Sequence, residues 1–88
     1  MYYVYILHSE KDYGLYIGKS SDLKQRIQSH NYGLVVSTKN RRPLKLVHYE
    51  AFLFADDASA RERYLKSGYG RRQLKEQCGN LFRRLKFR

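Results

Sequence analysis

Two short runs, YVYIL at residues 3–7 and GLYIGKS at residues 14–20, are apolar and tyrosine-bearing, and they are joined through the polar, turn-like stretch SEKDYG. Side chains alternate between the two faces of a strand, so an antiparallel hairpin of such runs sorts its residues by face. Strands are expected over residues 2–8 and 13–19. With Tyr5 opposite Tyr16, Leu7 falls opposite Gly14 and Tyr3 opposite Gly18. One face then carries Tyr3, Tyr5, Leu7, Gly14, Tyr16 and Gly18; the other carries Val4, Ile6, Leu15 and Ile17. The aliphatic face is expected to be core. The other sets phenols beside two glycines that leave space.

The remainder reads as helices around one more strand. Ser21 or Asp22 can cap a helix that Asn31 to Gly33 can end. At ~100° per residue, Leu23, Ile27 and His30 fall on one stripe of it, with Arg26 at the border. Residues 34–43, LVVSTKNRRP, form a loop rich in basic and hydroxyl groups. After Pro43 comes LKLVHYEAF, a third strand whose imperfect alternation suits a central strand covered on both faces. ADDASARERYLKSGYG holds a second helix, capped by Asp56 or Asp57 and stopped by Gly68. On it Ala58, Glu62, Leu65 and Tyr69 share a face. GRRQLKEQ reads as a short third helix, while for the tail NLFRRLKFR a docked helix, a strand and a frayed end are all compatible. With no repeat and no linker, residues 1–88 make one domain, with 80–88 as its tail.

Charge narrows the partner. Lys and Arg number 18 against 8 Asp and Glu, a net of +10. Residues 61–88 hold ten basic and two acidic residues, so most of the excess sits there. Such a concentration points to a polyanion, nucleic acid before an anionic membrane; a solubilising face is the plain alternative. No run approaches the ~18 apolar residues of a membrane span. The opening MYYVYILHSE has no basic segment ahead of its short apolar run, so a cytoplasmic protein is expected. The single cysteine, Cys78, allows no disulfide within the chain and no cysteine-based zinc site, and it has no local sign of activation. His8, His30 and His48 lack close metal-ligand spacing.

Several side chains nevertheless carry chemistry. A phenol can accept a proton if positive charge lowers its pKa from ~10, which makes Tyr5 and Tyr16 candidates, although aromatics also simply suit strands. Gly18 can end a strand or let a phosphate approach the backbone. Arg26 offers a planar fork matching phosphate oxygens, although an ordinary surface arginine is the leading reading; His30, on an apolar stripe, reads as a core histidine ahead of a catalyst. Glu62 is the anomaly, a carboxylate on an apolar helix face. The candidates to partner it are an intrahelical cation, Lys66 above all, or a divalent metal. Of the other acids, only Glu50 is not readily placed in a turn, a cap or the surface.

YVYIL followed by LYIGKSSDLKQRIQSHN resembles the GIY-YIG nuclease domain, most closely its small stand-alone members. The resemblance continues through STKNRRPLKLVHYEAF and ARERYLKSGYGRRQLK and covers roughly residues 2–76. It implies an α/β (α+β) domain in which a three-stranded antiparallel sheet is flanked by helices, in the order β-β-α-β-α-α. It also implies an endonuclease cutting a phosphodiester of nucleic acid, DNA first, with Mg²⁺ or Mn²⁺ as cofactor; a non-catalytic nucleic-acid-binding module of the same fold is the alternative. By position, the motifs fall on Tyr3–Val4–Tyr5 and Tyr16–Ile17–Gly18, the helix arginine on Arg26, the following histidine on His30 and the metal-binding glutamate on Glu62. Tyr5, ahead of Tyr16, is then expected to take the proton of the attacking water, with His30 completing the relay. The expected substrate-holding residues are Gly18 and Lys19 at the second motif, and Lys39, Arg41 and Arg42 in the loop. Lys66, Arg71 and Arg72 join them from the second and third helices. Tyr3 replaces the first motif's glycine, and a carboxy-terminal asparagine used by some members has no clear match, Asn80 being the nearest candidate.

Overall fold

The computed structural model describes residues 1–87. Strands β1 (Tyr2–Ser9), β2 (Leu15–Ser20) and β3 (Leu44–Phe52) form one antiparallel sheet in the order β2-β1-β3. Helices α1 (Leu23–Asn31), α2 (Ala55–Lys66), α3 (Gly68–Gln77) and α4 (Gly79–Arg84) flank it. This is the expected class, and through α3 the expected order of elements.

The hairpin register differs from the expected one. Tyr5 lies opposite Gly18, Leu7 opposite Tyr16 and Tyr3 opposite Ser20. The turn is the cause. Ser9 Oγ accepts the N–H groups of Lys11 and Asp12 at 3.2 and 3.1 Å, and Asp12 Oδ1 accepts that of Gly14 at 2.8 Å. Tyr13 takes a left-handed φ of 62°. These residues belong to the turn, so β2 begins at Leu15 rather than Tyr13. A shift of two residues preserves the alternation, and the sorting of the two faces survives.

β3 is an edge strand, not the central one. β1 is central and buried from Val4 through Ser9. The imperfect alternation of β3 has a different origin: Ile6 pairs with His48 and Leu7 with Leu46, leaving Val47 as an extra residue. Such a bulge changes the phase of a strand's two faces. Leu44 and Leu46 therefore face with Leu7, while beyond the bulge Tyr49 faces with Tyr5.

Both faces of the sheet are covered. α2 and α3 bring Ala58, Leu65 and Leu74 onto Val4, Ile6 and Ile17. α1 brings Leu23 and Ile27 onto the other face, over Tyr5, Leu7 and Leu44. The phenol-bearing face is thus a second, smaller core.

Asp22 caps α1, accepting the Gln25 N–H at 3.1 Å. Neither Asp56 nor Asp57 caps α2; Phe54 holds that position, and both carboxylates sit in the first turn, where the helix dipole favours negative charge. α2 ends at Lys66. Ser67 closes it and starts α3 by accepting the Gly70 N–H at 3.1 Å, so Gly68 opens a helix instead of stopping one. A Cβ on Gly70 would collide with the Tyr64 carbonyl, so glycine there sets how closely α3 meets α2. The break in helix phase turns Tyr69 out to solvent, where the Arg72 guanidinium lies 5.4 Å from its ring centre.

The tail is docked as far as it is described. Phe82 of α4 packs against the aliphatic core, Phe87 stacks on Phe82 at 4.6 Å, and His8 Nε2 donates to the Lys86 carbonyl at 2.6 Å. Arg88, the last residue of the expected tail, lies outside the described residues.

Candidate active site

The β2–β1 register puts a tyrosine against a glycine, and this builds the site. A Cβ on Gly18 would stand 2.5 Å from the Tyr5 hydroxyl and 2.6 Å from Cζ. The Tyr5 ring therefore lies across Gly18, pointing its hydroxyl toward the β2 edge. The space expected over Gly18 for a phosphate is taken by this phenol. Tyr5 Oη meets His30 Nε2 at 2.8 Å and accepts from Arg26 Nε at 3.4 Å. His30 Nδ1 lies 2.7 Å from Thr38 Oγ1. The Tyr16 ring packs 5.1 Å from His30 and 6.4 Å from Tyr5, centre to centre.

The electrostatics order this chain of contacts. Burial, set against the favourable Arg26 contact, raises the Tyr5 pKa above that of an ordinary phenol; the Tyr16 and Glu62 charges add to the rise. Tyr5 is therefore protonated. The Tyr5 and Thr38 hydroxyls each share a hydrogen bond with one ring nitrogen of His30. Burial first, then the Arg26 charge, pushes the His30 pKa down to about 4, so the imidazole is neutral near pH 7.

A pH dependence follows. The unfolded chain protonates His30 below about 6.5, whereas the folded one resists until about 4. The stability from neutral His30 is complete above pH 6.5 and is lost as pH falls through this interval, by on the order of 3 kcal/mol. His30→Gln is expected to flatten the unfolding free energy between pH 6.5 and 4, measured by urea titration at stepped pH.

Glu62 arrives from the other face. α2 packs against β1 and β2, and the Glu62 charge is the smallest of the influences that raise the Tyr5 pKa. Its side chain is only 17% exposed, and its ion-pair partner among the described residues is Lys66, at 3.4 Å and itself 55% exposed. Both partners considered from the sequence thus remain relevant. Glu50 is already engaged, accepting from Arg61 at 2.8 and 3.1 Å and from His48 at 3.0 Å. Among the described residues no three His, Cys, Asp or Glu side chains gather into a metal-binding group. One shielded carboxylate with one long, solvent-exposed partner fits a Mg²⁺ or Mn²⁺ site that draws its other ligands from water and substrate.

The other expected substrate contacts separate. Lys19 points to the α2 side, donating to Ser59 Oγ at 2.6 Å. Arg41 is not free for substrate: it pairs with Asp12 at 2.6 Å and ties the β1–β2 turn to the loop, while the Asp12 carboxyl is held well below its usual range. Lys39 and Arg42 remain, lining a cationic concavity with Lys11 and Asn31. Arg72 lies over Tyr69, and Arg71 is on the far side of the sheet, beside the β1–β2 turn. Asn80 lies by β3 with Lys45 and Val47, bonded to Arg83, and does not join the tyrosines. A concavity of about 650 Å³ between Tyr3, Leu23, Ile27 and Tyr49 contains none of the five expected catalytic residues.

Two further polar residues come from positions the sequence left unassigned. Thr38, fully buried, ends the Tyr5–His30 chain; its only signal was the hydroxyl content of the loop. His48 brings Nδ1 to 3.9 Å from Cys78 Sγ, a neighbour 30 residues away that no local motif could announce.

A two-tyrosine hairpin, an arginine and a histidine on the next helix and a glutamate on the helix after the third strand thus follow one another along the chain. The GIY-YIG catalytic domain matches residues 1–76, and the chain belongs to the GIY-YIG family. It is similar to small proteins of the UPF0213 group. One from Clostridium perfringens (UPF0213 protein CPE1444) is 45% identical over 67 residues, 75% of this chain and 71% of that protein. One from Staphylococcus saprophyticus (UPF0213 protein SSP2268) is 39% identical over 75 residues, 84% of this chain and 90% of that protein. One from Haloquadratum walsbyi (UPF0213 protein HQ_3675A) is 39% identical over 67 residues, 75% of this chain and 74% of that protein. No solved structure matches the chain. Among the described residues no helix is long and apolar enough to cross a membrane.

Proposed function

We propose that this protein is a metal-dependent endonuclease that hydrolyses a phosphodiester bond of nucleic acid, with DNA as the first substrate to test. The observation that supports the reading is the hydrogen-bonded cluster at the Tyr5 hydroxyl, which meets His30 Nε2 at 2.8 Å and Arg26 Nε at 3.4 Å. A Mg²⁺ or Mn²⁺ ion held through Glu62 would supply charge for the leaving oxygen. Arg26, steadied at Nε by Tyr5, presents its guanidinium tip to the non-bridging oxygens and stabilises the charge that grows in the transition state.

The proton-accepting role passes to Tyr16. Tyr5 is 0% exposed and its raised pKa holds its proton, so it cannot meet a solvent water at rest. Tyr16 is half-buried on the same face, against His30. Tyr5 then acts by positioning Arg26 and His30. Tyr16→Phe is expected to slow cleavage by ~10²–10⁴-fold with little change in stability. Tyr5→Phe leaves His30 Nε2 without its 2.8 Å partner. That substitution is expected to cost ~1–3 kcal/mol of stability and to slow cleavage less. Nicking of supercoiled plasmid, with Mg²⁺ or Mn²⁺ against chelator, tests both. No nicking with either metal ends the catalytic reading.

The Lys66–Glu62 contact favours a second reading, a binding module whose glutamate is neutralised from within. Binding that is steeply salt-dependent but indifferent to divalent ions is its signature.

A further inference from the structure

Across the sheet from Tyr5 and Tyr16, a small cavity of about 120 Å³ opens between the β1–β2 turn, α3 and the carboxy-terminal segment. Tyr13, Arg71, Lys75, Phe82 and Phe87 are among its lining residues, and no Asp or Glu side chain of the described residues lines it. Arg71 and Lys75 are one helical turn apart, so both cations address the same space. Arg71 Nε is sealed from solvent and has no hydrogen-bond partner among the described residues. Buried polar groups are nearly always paired, and a guanidinium N–H without an acceptor is costly. A third cation stands nearby, Lys86 Nζ, 4.8 Å from the centre of the Tyr13 ring.

The backbone donors at the turn are already engaged, the Gly14 N–H with Asp12 and the Tyr13 N–H with the Ser9 carbonyl, so the side-chain cations are what this space offers an anion. The stacked Phe82 and Phe87 rings wall one side, and low-polarity walls strengthen any ionic contact made inside. The volume equals that of about four waters, enough for one tetrahedral oxyanion and too little for a nucleoside.

We propose that this cavity receives a single phosphate group, gripped by Arg71 and Lys75. The guanidinium fork suits phosphate oxygens, and two cations suit a doubly charged oxyanion better than a lone carboxylate. The phosphate is either free inorganic phosphate or one carried by nucleic acid. Only the second source rests on the proposed function, and there it would anchor the strand away from the cutting centre.

Thermal unfolding with added sodium phosphate, at ionic strength held constant with chloride, tests the site without any cleavage readout. Saturating phosphate is expected to raise the wild-type Tm by about 5 °C. Arg71→Met should abolish the shift, and Arg72→Met, one residue along on an exposed position, should retain it. Should Arg71→Met fail to fold, Lys75→Glu at the exposed rim reads the same contact. A wild-type Tm indifferent to phosphate, or a shift undiminished in Arg71→Met and Lys75→Glu, overturns the proposal. The source is read by oligonucleotide binding without divalent ions. If the phosphate belongs to nucleic acid, the slope of log affinity against log salt should fall by about 1 in Arg71→Met. An unchanged slope beside a lost phosphate shift assigns the site to free phosphate. Loss of the cleavage reading leaves the thermal result untouched.

Discussion

Glu62→Gln is expected to abolish nicking of supercoiled DNA while leaving fold and nucleic-acid binding almost unchanged. The substitution keeps shape and hydrogen-bonding capacity and removes one negative charge. The stability change is small because the partner lost is the 3.4 Å contact to Lys66, 55% exposed. Such pairs on a helix contribute about 0.3–0.5 kcal/mol. On the proposed function the activity change is large, because Glu62 is the carboxylate that would hold the divalent ion. Without its charge, several kcal/mol of transition-state stabilisation disappear, a loss of at least about a thousandfold. Binding should persist, since phosphate contacts rest on cations elsewhere. The measurement pairs plasmid nicking with circular-dichroism melting and a salt titration of binding. A Glu62→Gln variant that still nicks at the wild-type rate removes Glu62 from the chemistry, and one that unfolds makes it a structural residue.

How much of this site could be read before the fold was seen depends on whether each cause is local. The face-sorting of the hairpin is local: alternation alone placed Tyr5, Tyr16 and Gly18 on one side and Val4, Ile6 and Ile17 on the other. Register is not, because it depends on how many residues the turn consumes, and the Ser9 and Asp12 side chains draw Tyr13 and Gly14 into it. The irregular pattern of LKLVHYEAF was visible, but a bulge at Val47 and a two-sided central strand leave similar traces in sequence. Helix phase put His30 and Arg26 by the sheet. The buried Thr38 beneath His30 could not be inferred, since loop conformation alone brings it there. The same holds for Arg41, whose ion pair with Asp12 spans 29 residues and removes it from the cations available to a substrate.

Gly18→Ala is expected to destabilise the domain by about 3 kcal/mol and to cripple cleavage as well. The added methyl would stand 2.5 Å from the Tyr5 hydroxyl, 2.6 Å from its Cζ and 3.1 Å from Tyr16 Cε2. Tyr5 is wholly buried and held by His30 and Arg26, so its ring cannot yield without breaking those bonds. Overpacking of this kind costs ~1–3 kcal/mol, and leaving the buried hydroxyl or imidazole unpaired adds ~1–3 more. Cleavage falls because Arg26 loses the group that orients it. The two residues should therefore be coupled. Tyr5→Leu alone opens a cavity and is destabilising. The double variant Gly18→Ala/Tyr5→Leu should be less destabilised than the sum of the singles by at least about 1 kcal/mol, because the methyl then enters vacated space. Urea denaturation of all four proteins closes the cycle. Strict additivity would mean that the glycine serves strand geometry or substrate approach, and that the packing of Tyr5 over Gly18 is not what positions the site.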